Sequence, residues 1–322
     1  MAVLIIGYQS GNWRIDLILS CGFVNILSVI LWYSVYFKRR SLSKLVTKME
    51  ELYTLEGSSS VGDFEASCTN IGLFTYTLTP TLFAFVYVSA FTEGRKDNLW
   101  AYGYELKDFS VIFKMLLFVN VNMYESLQII FPGILTCTYC TVCYRLSKLL
   151  VRHNKKVLNI SQTLHFMSST HLVKEYFTIL DVVDLVQKIF SEPVFLLVMM
   201  HSVHMFSMMA YYLSFTADQF SVVIITESII VSSTTALSTI IIIIYASKVV
   251  MKMKIVQNTY RRCKESFILN SKYKYDINIQ LAIDRKLQDL SACDVVIFQK
   301  SLILSLAGAL LTYGLLIFQI VK

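Results

Sequence analysis

The sequence predicts an all-α protein, a polytopic bundle of six membrane-spanning helices with helical extensions on one side. Three observations predict it. Of the 322 residues, 55% are hydrophobic and 16% charged, against roughly 45–50% apolar and 25% charged in an ordinary soluble domain. The surplus gathers in unbroken blocks of about 20 residues or more, the length a helix needs to cross the hydrocarbon core of a bilayer. Prolines number 3 and glycines 11, too few for a loop-rich or β-rich chain. A soluble enzyme, a disordered chain and a secreted disulfide scaffold are excluded.

Six blocks qualify, at 15–37, 71–91, 111–143, 189–213, 221–246 and 295–320. Lipid offers backbone polar groups no partners, so each block must be helical. The first is too long for the core of a cleaved leader, and its positive flank follows it. The third begins VIFKMLLFV and ends CTYCTVCY, the fifth contains the run Ile240 to Ile244, and the sixth is SLILSLAGALLTYGLLIFQI with its lead-in. The whole chain therefore reads as one transmembrane domain, 1–322.

Lysine and arginine orient it. The linkers 38–70, 144–188 and 247–294 carry five, seven and ten of them, whereas 92–110 carries three and 214–220 none. The three basic linkers are then cytoplasmic and both termini outside. The net charge of +7 thus marks inner flanks and points to no nucleic acid. The basic linkers also carry apolar stripes. Leu172, Tyr176, Ile179, Val183, Val186 and Phe190 recur at spacings of three and four, opposite Lys174, Asp181, Asp184 and Lys188, the signature of a packed helix. Ile283, Leu287 and Leu290 extend the pattern over 276–294, and GSSSVG at 57–62 reads as a flexible break.

Polar groups inside spans are costly, about 2.5–3.5 kcal/mol for a mid-membrane charge on insertion scales, so they mark candidate sites. Glu125 with Asn120, Asn122, Tyr124 and Gln128 lies in the outer half of the third span, and Glu227 in that of the fifth. Tyr87 and Phe91 end the second span on that side, Trp100 and Tyr102 follow, and Tyr211 and Tyr212 close the fourth. Such polar and aromatic groups fit either a small-molecule cavity open to the outside or an interfacial belt with interhelical hydrogen bonds. A cavity would draw on Tyr87, Asn122, Glu125, Tyr211 and Glu227. His201 and His204 share a helix face, but polar packing explains them better than a metal pair. Cys137, Cys140 and Cys143, three apart, read as small residues at a helix contact. No phosphate loop, nucleophile elbow or paired carboxylates occur, so neither catalysis nor a cofactor is expected.

The last span carries a resemblance. Thr312-Tyr313, the five residues Gly314 to Phe318, then Gln319 resembles the C-terminal signature of insect gustatory receptors: Thr-Tyr, five hydrophobic residues, Gln-Phe. Ile320 stands where the signature has Phe, an apolar exchange. Ser305, Ala307, Gly308 and Ala309 before the motif are also similar. That family has seven spans and a cytoplasmic N-terminus, so the resemblance implies that these six correspond to its second to seventh, the first helix being absent. It further implies a plasma-membrane, ligand-gated cation channel of four identical or related subunits on a chemosensory neuron, gated by a small-molecule tastant such as a sugar or bitter compound. The last helix would line the pore, placing Thr312, Tyr313, Leu315, Leu316 and Gln319 at the pore or gate. A ring of leucines closes a pore by dewetting, and amides replace ion hydration when it opens. A G-protein-coupled receptor or a small-molecule transporter is the alternative, the latter weakened by the lack of internal repeats.

The sole glycosylation sequon, Asn159-Ile160-Ser161, falls in a cytoplasmic linker of this topology. Asn159 is expected to carry no glycan in protein from glycosylating cells. An endoglycosidase-sensitive mass on wild type that is lost in Asn159→Gln would reverse the orientation.

Overall fold

The computed structural model describes residues 15–55, 63–91, 110–163, 169–214, 222–269, 277–287 and 289–321. The elements are α1 (Ile15–Leu55), α2 (Asp63–Phe91), α3 (Val111–Glu125), a π-helical turn (Ser126–Ile130), α4 (Phe131–Thr163), α5 (Ser169–Ser214), α6 (Val222–Leu269), α7 (Ile277–Asp284), the two-residue strands β1 (Ser291–Ala292) and β2 (Val296–Ile297), and α8 (Ser301–Val321). The all-α class expected from sequence is the class observed. GSSSVG lies outside the described residues.

The first five predicted spans are parts of longer helices. The 46 residues of α5 make it ~70 Å long at ~1.5 Å per residue, well over twice a hydrocarbon core of ~30 Å. Among the described residues, Val111–Asn159 and Ser228–Glu265 are long and apolar enough to cross a membrane, and Ser301–Leu316 is a shorter apolar helix. Outward faces are apolar too: Phe37, Phe74, Phe85, Ile112 and Leu116 are all exposed. Water-facing helices carry charge in such places.

Contacts between side chains fix the helix directions. α1 runs antiparallel to α5, since Ser28 meets Met200 and Lys38 meets Glu192 at 2.8 Å. α2 is antiparallel to the α3–α4 helix, with Thr69 beside Thr141 and Thr81 beside Asn122. α4 and α6 run parallel: Tyr144 packs edge-on to Tyr245, and Thr259 donates to Asn154 at 2.7 Å. α8 runs the same way as α5, the hairpin before it meeting α5 at Ser191 through the Cys293 N–H and Tyr313 meeting Phe206 further along. So α1, α4 and α6 point one way, and α2, α5 and α8 the other.

The main core centres on α5, and a second, small cluster of Phe83, Ala84, Leu117 and Val121 joins α2 to α3. Leu172, Tyr176, Ile179, Val183, Val186 and Phe190 are all buried, whereas Lys174, Asp181, Asp184 and Lys188 are exposed. The stripe thus packs against other helices. Arg285 ties the charged face down from after α7, bonding Asp181 at 2.7 Å and Asp184 at 3.3 Å. The expected stripe over 276–294 is helical only to Asp284, yet Leu290 is fully buried and Ile283 and Leu287 pack on the same core. At the end of α7, Gln257 of α6 donates to the carbonyls of Ile283 and Arg285 and caps the helix there.

The last helix starts at Ser301 rather than at 295. Residues 295–300 belong to a hairpin in which Ser291 pairs with Ile297 and Ala292 with Val296. Its turn has Cys293 and Asp294 at φ 51° and 57°, the positive pair that a tight two-strand turn needs for its twist. Without glycine this costs about 1–2 kcal/mol per residue, so surrounding bonds must hold it.

At the end of the bundle that bears the basic linkers, His153 is fully buried, its Nε2 2.9 Å from the Tyr260 hydroxyl and its Nδ1 3.6 Å from Glu175. Lys156 donates to Glu175 at 2.6 Å. Burial pushes the Glu175 carboxyl up, but the His153 ring and the Lys156 ammonium outweigh it and hold it at about 2. A carboxylate held below its ordinary 4.5 stabilises the fold at neutral pH, and this contribution is lost as pH falls through about 2. Glu175→Gln is therefore expected to lower the thermal midpoint of the purified protein at pH 7, and the gap from wild type to close as pH falls below 4. A gap independent of pH would overturn the assignment.

Candidate functional site

Two features stand apart from plain apolar packing: a layer of polar contacts between helices, and the outward face of α8. The polar layer begins where α3 passes into α4. Pro132 lacks the N–H that would bond the carbonyl of Gln128, and its ring crowds that carbonyl. The helix widens by one residue there, Phe131 N–H bonding the Ser126 carbonyl five residues back. Such π-turns re-aim side chains and recur at functional positions. Here the turn carries Gln128, which is buried. Its Nε2 donates to Asn25 Oδ1 at 2.6 Å and its Oε1 accepts from Ser28 Oγ at 3.2 Å. Ser28 also lies 3.2 Å from the Met200 sulfur. The turn thereby joins α1, α3–α4 and α5.

Two further contacts extend the layer. His201 Nδ1 lies 3.1 Å from Thr239 Oγ1, linking α5 to α6, so His201 serves polar helix packing. Tyr76 of α2 shares a 2.6 Å hydrogen bond with Ser238 of α6. The Tyr76 ring covers Gly133 and leaves no room for a Cβ there. Cys137 abuts Gly72 at the same crossing, and Cys140 and Cys143 are buried in the core. Among the described residues no group of three His, Cys, Asp or Glu side chains is set to hold a metal.

Of the pocket candidates, Glu125 is buried at 3% exposure and Asn122 is half-buried, accepting from Thr81 of α2 at 3.5 Å. Both face inward, just above the π-turn. Tyr87, Tyr211 and Glu227 sit on α2, α5 and α6, with side chains outside the described residues. Asn25 and Ser28 were not singled out from the sequence, although an asparagine within an apolar span is a readable signal.

α8 has two unlike sides. Leu302, Ile303 and Leu306 pack on the core. Tyr313 meets Phe206 edge-on at 4.8 Å, and Gly314 is covered by the Met209 methyl. Tyr313 therefore lies on the side toward α5. The other side presents Ser301, Ser305, Gly308, Thr312, Leu315 and Gln319, every one exposed. They are spaced 4, 3, 4, 3 and 4 apart, which at 3.6 residues per turn confines them to an arc of about 80°. Thr312 donates back to the Gly308 carbonyl at 2.9 Å and Ser305 to that of Ser301 at 3.2 Å. Leu316 is exposed at the edge of this stripe, and nothing lies within 4 Å of where a Gly308 Cβ would be.

This architecture, long helices around α5 with a polar-faced final helix at the rim, has counterparts among solved structures. The structure of the insect olfactory receptor OR5 from Machilis hrabei in complex with eugenol matches over 99% of this chain and 88% of its own, with a TM-score of 0.71 at 14% identity. A second structure of the insect olfactory receptor OR5 from Machilis hrabei matches over 99% of this chain and 88% of its own, with a TM-score of 0.66 at 13% identity. The likeness is one of fold. No family model and no curated protein matches the sequence.

Gln128→Leu removes both amide bonds and strands Asn25 and Ser28 against an apolar side chain. Interhelical hydrogen bonds in membrane proteins are worth ~0.6–2 kcal/mol each, so the variant is expected to unfold several degrees below wild type in detergent. An unchanged midpoint would mean that the π-turn does not hold α1 in place.

Proposed function

We propose that this chain is a subunit of a small-molecule-gated cation channel of the plasma membrane, a chemosensory receptor of the gustatory type. The observation that carries the reading is the stripe on α8. A helix at the rim of its protomer exposes serine, glycine, threonine, Leu315 and glutamine in one narrow line, flanked by exposed Leu304, Leu311 and Leu316. Lipid does not favour such a face, whereas a water-filled axis shared by four copies does. The outward apolar faces and the alternating directions of α1, α2, α4, α5, α6 and α8 support a chain threaded through a bilayer. The fold shared with an insect olfactory receptor supports a chemosensory role. The Thr312-Tyr313…Gln319 motif favours taste over smell.

In this reading Gln319 stands near the outer mouth with Leu315 and Leu316 one turn below. Leucines closing on the axis exclude water, and the amides replace hydration once they part. Thr312 continues the polar wall inward, and Tyr313 braces the helix on Phe206 from behind. The tastant pocket draws on Asn122 and Glu125 beside the π-turn, with Tyr87, Tyr211 and Glu227 completing its wall. Binding there opens the pore only through tighter affinity for the open state.

The test is cation current from cells expressing this chain, alone and with related subunits. Gln319→Ala is expected to alter selectivity or gating, and Glu125→Ala or Glu227→Ala to shift the concentration of tastant needed by about tenfold, near 1.4 kcal/mol. A response that requires G proteins would replace the channel by a coupled receptor. Wild-type ligand sensitivity in both glutamate variants would remove the pocket.

A further inference from the structure

The hairpin before α8 is gripped by two side chains of α5 one turn apart. Gln187, on the buried face of α5, uses both ends of its amide on Ser291. Its Oε1 accepts from the Ser291 N–H at 3.0 Å, and its Nε2 donates to the Ser291 carbonyl at 3.0 Å and to Ser291 Oγ at 2.7 Å. Ser291 Oγ in turn donates to Asp294 Oδ1 at 2.7 Å, holding one of the two positive-φ residues. Ser191 holds the other, its Oγ accepting from the Cys293 N–H at 2.8 Å. Gln187 and Ser291 are both buried, so no water can replace these bonds without the hairpin leaving α5.

Only residues 298–300 separate β2 from α8. Phe298 among them is buried, packs against Tyr139 and donates its N–H to Leu290 across the hairpin at 3.1 Å. The first turn of α8 then begins directly, with Leu302 N–H on the Gln299 carbonyl at 3.0 Å. There is no slack between the hairpin and the helix. A slip of one residue would turn α8 by about 100°, more than the whole width of its polar stripe.

We infer that Gln187 and Ser191 are positioning residues for the pore helix. Their clamp on the 291–297 hairpin sets the height and rotation of α8 and so keeps the leucine step of its stripe on the axis in the resting channel. The inference rests on the channel reading of α8. Its test uses the full chain in cells, measuring tastant-independent cation flux per receptor at the surface. Q187A is expected to raise this basal flux at least about fivefold. In Q187A/S191C, copper-phenanthroline with air joins the new thiol to native Cys293 as a disulfide, and basal flux returns to wild type until dithiothreitol reverses it. The same oxidant leaves Q187A alone unchanged. A merely structural loss would not be rescued this way.

Unchanged basal flux in Q187A, or a disulfide detected by mass spectrometry without the return, would overturn the clamp. Should Q187A fail to reach the surface, S191A, which removes only the acceptor for Cys293, is expected to raise basal flux in the same direction. Maleimide labelling of Cys293 separates the two ideas. Faster labelling in Q187A together with no flux from any form supports the grip and sinks the channel reading. Equal labelling in wild type and Q187A sinks the grip itself.

Discussion

The packing of this molecule centres on α5. The helix meets α1, α4, α6, α7, the hairpin and α8, and its buried residues run from Leu172 to His201. What holds the helix changes along its length. In the membrane-channel reading proposed above, the surroundings toward the basic linkers are water, and burying each Tyr176, Ile179, Val186 or Phe190 side chain stabilises by roughly 1.5–3 kcal/mol. Toward the other end the outward faces are apolar, and in lipid a leucine gains little by leaving one apolar medium for another. There the helices hold through contacts that lipid cannot match: the Asn25–Gln128–Ser28 bonds, His201 on Thr239, and close approaches at Gly133 and Gly314. The Lys38–Glu192 ion pair stands near the change of regime, six residues past Val186.

That division explains where the chain keeps its polar residues. In the water-bathed half they lie on the surface, as Asp181 and Asp184 do under Arg285, or close a termination, as Gln257 does for α7. In the apolar half several turn inward, because an unpaired polar group against lipid costs several kcal/mol, and outward-facing ones such as Thr75, Thr77 and Thr79 bond their own helix. The stripe on α8 gathers exposed polar groups into one line. Ser305 and Thr312 lessen the cost by bonding their own helix, yet Gln319 remains exposed at the end of the line.

Much of this was legible before any coordinates. The helical class followed from block lengths, and the α5 stripe from spacings of three and four, since helix periodicity is local and needs no knowledge of partners. The first residue of α3, Val111, coincided with the expected start of the third block. The hairpin was not legible. Its turn lacks the usual Asn-Gly or Asp-Gly signal and adopts positive φ at Cys293 and Asp294 only because Gln187 and Ser191, about 100 residues earlier in sequence, compel it. The π-turn was half legible: Pro132 announces a disturbed helix, but not that Gln128 would be swung onto Asn25. Tyr313 shows the same limit, for a motif gives order along the chain and not the side of the helix that a neighbour will claim.

The asymmetry of α8 bears on what the folded unit is. A single protomer leaves the stripe from Ser301 to Gln319 without any covering element among the described residues, while the opposite side is covered by Phe206 and Met209. Small side chains at Ser305, Gly308 and Thr312 let like helices approach closely, whereas Leu315 projects further. Several copies around an axis would therefore be wide at the small residues and narrow at the leucines, with amides beyond them. A taper of this kind arises from the order of side-chain sizes along one helix face and needs no further element. It works only if each helix holds its rotation to well within the 80° arc. The chain meets that demand at the base of α8, where a saturated buried amide, a strained turn and a three-residue connection leave the helix no freedom to turn.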